Sequence, residues 1–230
     1  MNCKEHHLPE LELATGHLRE ALQCILHTIL FIRAPGPVAP RDTHCESFDL
    51  TYTRIAQHCG VASSSLSSTS QQQQVPSTTA ALSSLDMDVD KKVDDAIEAF
   101  LRSLSQIGPE LLQGCLTLGF FERRATRQLF GLVSHEEKVV WEQWVLHVVV
   151  NNTPRPVNDD SASVIERQRI QDTAEGMLKA ALLKVFEIAG GSIDHVPPVM
   201  YEFEIHCTKR TDERVYSRVS NMPALISLGS

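Results

Sequence analysis

No run of apolar residues in this 230-residue chain approaches the ~18–20 needed to span a bilayer. Its first residues, MNCKEHHLPELEL, lack the basic and then apolar regions of a secretory leader. A basic surplus is missing too: 21 Lys and Arg stand against 29 Asp and Glu, a formal net charge of -8. An acidic surface repels phosphate backbones, which argues against nucleic acid as a partner. Six cysteines, Cys3, Cys24, Cys45, Cys59, Cys115 and Cys207, form no CxxC pair and no tight framework. Cys24 and Cys207 sit in apolar patterns, as reduced core cysteines do. These absences predict a cytoplasmic protein without disulfides or a transmembrane segment.

Catalytic signatures are also missing. The chain holds no GxxxxGK phosphate loop, no GxGxxG, no GxSxG elbow and no HExxH pair. Kinase HRD and DFG motifs are absent, so the chain is not a kinase. Cys115 with His147 or His206 is the nearest approach to a nucleophile pair, and a buried strand cysteine is the simpler reading. His44-Cys45 and His58-Cys59 offer metal-ligand chemistry, but neighbours on a strand point to opposite faces and do not converge on one ion. His6-His7 reads as a frayed end of the chain. The expectation is a non-enzyme with no metal, cofactor or catalytic residue.

What is present is periodicity. Leu11 and Leu13 alternate with Glu10 and Glu12 as a short strand within 8–14. Thr15 is placed to cap the next helix. Leu18, Leu22, Ile25, Leu26, Ile29 and Leu30 predict a well-buried helix over 16–32, ended by Ala34-Pro35-Gly36-Pro37. Residues 46–56 alternate as a half-buried strand, with Phe48, Leu50 and Tyr52 facing one way. The stretch 58–86 is Ser/Thr/Gln-rich and too poor in apolar residues to offset the entropy of ordering, so it predicts a disordered insertion. Val89, Val93, Ile97, Phe100, Leu101 and Leu104 predict a helix over 88–106.

Strands follow over 114–121 and 141–152. The second is apolar on both faces in its later half, which predicts a central strand covered by helices. Ser163 and Glu166 form a capping-box pattern that opens a helix over 164–189, closed by Gly190-Gly191. Tyr201, Phe203, Ile205 and Cys207 alternate in a strand over 199–207, and TKRTDE leads as a hairpin turn into RVYSRVS. The order predicts an α+β domain with a mainly antiparallel sheet packed on helices. Between the two middle strands, Arg123 to Leu132 sets apolar Leu129 and Phe130 beside a basic cluster. It reads either as packing on the core or as an exposed recognition loop.

REALQCILHTILF, ESFDLTYTRI, LTLGFFERR, WEQWVLHVVV and YEFEIHC, in this order, resemble the landmark segments of the autophagy-related protein 101 family. The resemblance covers most of the chain outside 57–87. It implies a single HORMA domain over 1–230, with a mainly antiparallel sheet against about three helices and the insertion at 58–86. It also implies a non-catalytic scaffold of the autophagy-initiation kinase complex at the phagophore assembly site. That scaffold binds and stabilises the HORMA domain of autophagy-related protein 13 and helps recruit downstream factors. In the family, a finger loop with a Trp-Pro-Phe motif does the recruiting. Here the stretch after Arg127 resembles it as Gln128-Leu129-Phe130: the phenylalanine matches, and Gln128 stands at the tryptophan's place. For the partner surface, the first helix and the following strand are the expected contacts, through His27, Ile29, Ile32, Phe48, Leu50 and Tyr52. The alternative is another HORMA-type adaptor, of checkpoint or repair type, that captures a partner peptide.

Overall fold

The structure, a computed structural model, describes residues 3–34, 38–58, 89–127, 134–153, 156, 158 and 160–208. The order of elements is β1 (Lys4–His7), β2 (Leu11–Ala14), α1 (Thr15–Arg33), β3 (Val38–His44), β4 (Thr51–His58), α2 (Val89–Ser103), β5 (Ser105–Gln106), β6 (Leu111–Arg127), β7 (Ser134–Asn151), α3 (Ser161–Ala189) and β8 (Glu202–Thr208). This is an α+β fold.

The long hairpin β6–β7 is the spine of a six-stranded mixed sheet. β1 and β2 pair with β7 in parallel, one after the other. β5 and β8 pair with β6 antiparallel on the opposite side. β3 and β4 form a separate antiparallel hairpin. Alternation decides which face is buried. Leu116, Leu118 and Phe120 of β6 stand opposite Leu146, Trp144 and Glu142 of β7, and all six are buried. Leu11 and Leu13 of β2 join them through pairing with Val148 and Val150. β7 is a central strand as expected, between β6 and the pair β1 and β2, and on its other face Val145 is buried while Gln143, His147 and Val149 are half-buried. A register shift between Phe120 and Phe121 inserts Trp141 as an extra residue of β7. Trp141 and Glu142 are therefore both buried although they are neighbours.

α1 carries apolar residues on most of its circumference because it is covered on most sides, by β4, α2, α3 and the sheet. Thr15 is not its cap. Ala14 holds the N-cap place with no side-chain bond, and the Thr15 hydroxyl donates instead to Asn152 Oδ1 at 3.0 Å. In α3 the cap is Asp160, whose Oδ1 accepts from the Ser163 N–H at 2.9 Å, so the capping box predicted at Ser163 and Glu166 starts three residues too late. Residues 46–49 are a bend, and no strand begins before Thr51. The Glu20 carboxylate of α1 accepts from the Glu46 and Ser47 N–H groups at 3.1 and 2.7 Å, and so fixes that bend against the helix. β3 was not anticipated: Pro40, Arg41 and Asp42 break any apolar alternation, which a strand in a two-stranded sheet tolerates. The stretch 58–86 lies, from residue 59 on, outside the described residues, as do TKRTDE beyond Thr208 and RVYSRVS.

Candidate functional site

Four of the six expected contact residues are enclosed by the chain's own core. His27 and Ile29 have no exposed surface, and Phe48 and Tyr52 are buried with them. Ile32 and Leu50 are half-buried and pack against the same core. The structure does bring the set together, but around the contact of α1 with the turn and β4. There the His27 Nδ1 accepts from the Ile55 N–H at 3.2 Å, and its ring lies 6.1 Å from that of Tyr52. Arg54 of β4 donates to Asp90 and Asp94 of α2 at 2.5 and 3.1 Å beside it. Burial, reinforced by the Arg54 charge, pushes the His27 imidazole down to about 4 against the pull of Asp90 and Asp94. These residues join α1, β4 and α2.

Arg127 is the last residue of β6, and Gln128, Leu129 and Phe130 lie outside the described residues. Pairing of β6 with β7 continues to Arg127 opposite Ser134, whereas β8 reaches only Phe121 and β1 only Glu142. Beyond those points the hairpin is a two-stranded ribbon, so Arg123 to Arg127 belong to a strand and not to a loop. The basic cluster at its root is paired: Arg123 donates to Glu202 at 2.6 Å, and Arg124 and Lys138 meet Glu122 and Glu204. Lys138 Nζ also lies 4.2 Å from the centre of the Phe121 ring.

A second outward surface is apolar. Leu183 and Phe186 of α3 are 69% and 55% exposed, one helical turn apart. Ile193, Val199 and Met200, in the segment between α3 and β8, are exposed as well. None of these was singled out from the sequence, although α3 carries more large apolar residues than one inner stripe needs.

The third feature is a buried ionic cluster at Glu142. Arg33 Nε donates to Glu142 Oε2 at 2.8 Å and Arg33 Nη2 to Oε1 at 3.0 Å. His6 Nε2 of β1 and His195 Nε2 of the α3–β8 segment each lie 3.0 Å from the same Oε1. Burial alone would raise the Glu142 carboxyl, but the bonds from Arg33 and His195 and the Arg33 charge hold it below the usual carboxylate range. Burial pushes His6 below its ordinary value despite the adjacent carboxylate. The reading of His6-His7 as a frayed end is thus corrected: β1 completes the open edge of β7. Glu142 was not singled out from the sequence, although an acid inside the apolar run of a buried strand demands cationic partners and could have pointed here. Its spacing did not say which ones.

The family model described as Autophagy-related protein 101 matches residues 10–202. The chain is similar to Autophagy-related protein 101 of Arabidopsis thaliana, 28% identical over 227 residues that cover 92% of this chain and 90% of that protein. It is also similar to Autophagy-related protein 101 of Xenopus laevis, 21% identical over 232 residues and 90% of each chain.

Proposed function

Because the chain belongs to the autophagy-related protein 101 family, we propose that it is a non-catalytic HORMA-type scaffold of the autophagy-initiation kinase complex. In this reading it binds and stabilises the HORMA domain of autophagy-related protein 13, in the cytoplasm and at the phagophore assembly site. The observation that carries the reading is the set of exposed large apolar residues on α3 and the segment after it: Leu183, Phe186, Ile193, Val199 and Met200. Apolar side chains of this size gathered on one helix and the segment after it fit the buried centre of a stable protein interface. The partner surface is therefore assigned to the outer side of α3, with Ile32 and Leu50 as the members of the earlier set that retain exposed surface. The β6 strand leads at Arg127 into the finger-like stretch, to which this reading gives the recruitment of downstream factors. Lacking an indole at Gln128, that recruitment rests on Leu129 and Phe130 and is weaker than an aromatic anchor would give.

A pull-down of the full chain with recombinant HORMA domain of autophagy-related protein 13 tests the reading. The wild type is retained, and Leu183→Asp/Phe186→Asp is not, with its circular dichroism unchanged. Wild type that fails to bind removes the scaffold assignment; a folded double variant that still binds removes α3 as the surface. Leu129→Ala/Phe130→Ala keeps the partner and loses downstream factors.

A further inference from the structure

We propose that His6, Glu142 and His195 form a binding site for a divalent zinc-class metal ion, which clasps the N-terminal strand and the segment after α3 onto β7. The three ligand atoms all lie within 4.8 Å of one another. Each histidine Nε2 is 3.0 Å from Glu142 Oε1. Ligand atoms at the corners of a tetrahedral zinc site with bonds of ~2.0–2.1 Å are about 3.3 Å apart, so both His–Glu edges are already near the required length. Two imidazoles and one carboxylate are a donor set that zinc accepts, and they leave a fourth position for water.

The supports are in place as well. Each ligand comes from a different element: β1, β7 and the α3–β8 segment. β1 is fixed by four pairings with β7, Lys4 to His7 opposite Glu142 to Val145. Arg33 donates to both Glu142 oxygens, Oε1 included, and so orients the carboxylate, as ligating carboxylates are commonly oriented by a further hydrogen-bonding group. The His6 ring packs at a tilt of 46° on Trp144, with ring centres 4.7 Å apart, and His195 at a tilt of 53° on Trp141, at 5.8 Å. These indoles restrict ring rotation. Glu142 is inaccessible while the side chains of His6 and His195 are 11% and 15% exposed, so an ion enters from the histidine side. Arg33 shares the carboxylate and opposes a second cation, which makes the site weaker than a thiolate-rich structural one.

The test is calorimetric titration of the untagged, metal-stripped full chain with zinc chloride, beside a cobalt(II) titration read by visible absorption. One zinc per chain is expected, with a raised thermal midpoint and cobalt bands of low coordination number. His6→Ala and His195→Ala each weaken binding by about tenfold or more, whereas His44→Ala does not. Absence of binding at micromolar zinc overturns the proposal, and so does zinc affinity unchanged in both folded variants. Should a variant fail to fold, the wild type still decides through the imidazole NMR signals of His6 and His195, which zinc must shift and a metal bound elsewhere would leave in place.

Discussion

Arg33, in the last turn of α1, holds both carboxylate oxygens of Glu142 in the middle of β7, at 2.8 and 3.0 Å, with both side chains almost entirely buried. The pair ties the C-terminal end of the central helix to the central hairpin of the sheet. Tyr201 reinforces it by donating its hydroxyl to the Arg33 carbonyl. Replacing Glu142 with Gln strands a buried guanidinium. The expected cost is about 3–5 kcal/mol in urea unfolding, and a double change, Arg33→Met/Glu142→Leu, recovers most of it.

His27 sets a pH dependence. Its ordinary value is 6.5 and the folded protein lowers it to about 4. Between these values the unfolded chain binds a proton that the folded protein refuses, so this contribution is complete above pH 6.5 and lost as pH falls toward 4. The full loss corresponds to about 3 kcal/mol at 1.36 kcal/mol per unit. Urea midpoints measured from pH 7 to 4 should fall, and a folded His27→Gln variant should show the shallower slope.

Gly114 lies on β6 beneath α2. A Cβ there would stand 2.7 Å from Phe100 Cε2 and 2.9 Å from Leu104 Cδ2. Gly114→Ala therefore pushes α2 off the sheet and costs about 1–3 kcal/mol by overpacking. Thermal denaturation reads the effect, and Gly119→Ala, whose nearest neighbour would be a Gln143 side-chain atom at 3.8 Å, is the quiet control.

Ile29 separates core from interface. It has no exposed surface, so Ile29→Ala should cost about 2–5 kcal/mol of stability. Affinity for the partner, corrected for the folded fraction, should not change. Ile32→Ala, at a half-buried position, should cost less. Reduced affinity of fully folded Ile29→Ala would return that residue to the partner surface.

Much of the fold was legible. Leu18 to Leu30 repeat at helical spacing and form α1; Val89 to Phe100 do the same for α2, and Ala174 to Val185 for α3. Alternation from Tyr201 to Cys207 became β8. What escaped was of two kinds. β1 and β3 lack an apolar period, because one fills an edge of β7 and the other lies in a two-stranded sheet. Phe48 and Leu50 alternate like strand residues yet lie ahead of β4, because Glu20 caps the backbone of the bend at 46–49 from a helix far back in the chain.

The sequence by itself determined the α+β class, the three helices and the family resemblance, since these rest on local periodicity and on the order of segments. Which apolar residues are interior and which form a surface was decided only in three dimensions: Ile29 and Phe186 are alike in type, and only the covering of α1 and the open side of α3 distinguish them. The partners of Glu142 were decided there too. His6, Arg33 and His195 lie 136, 109 and 53 residues from it along the chain. No spacing rule reaches that far, because their meeting depends on how β1, α1 and the segment after α3 all close on one strand.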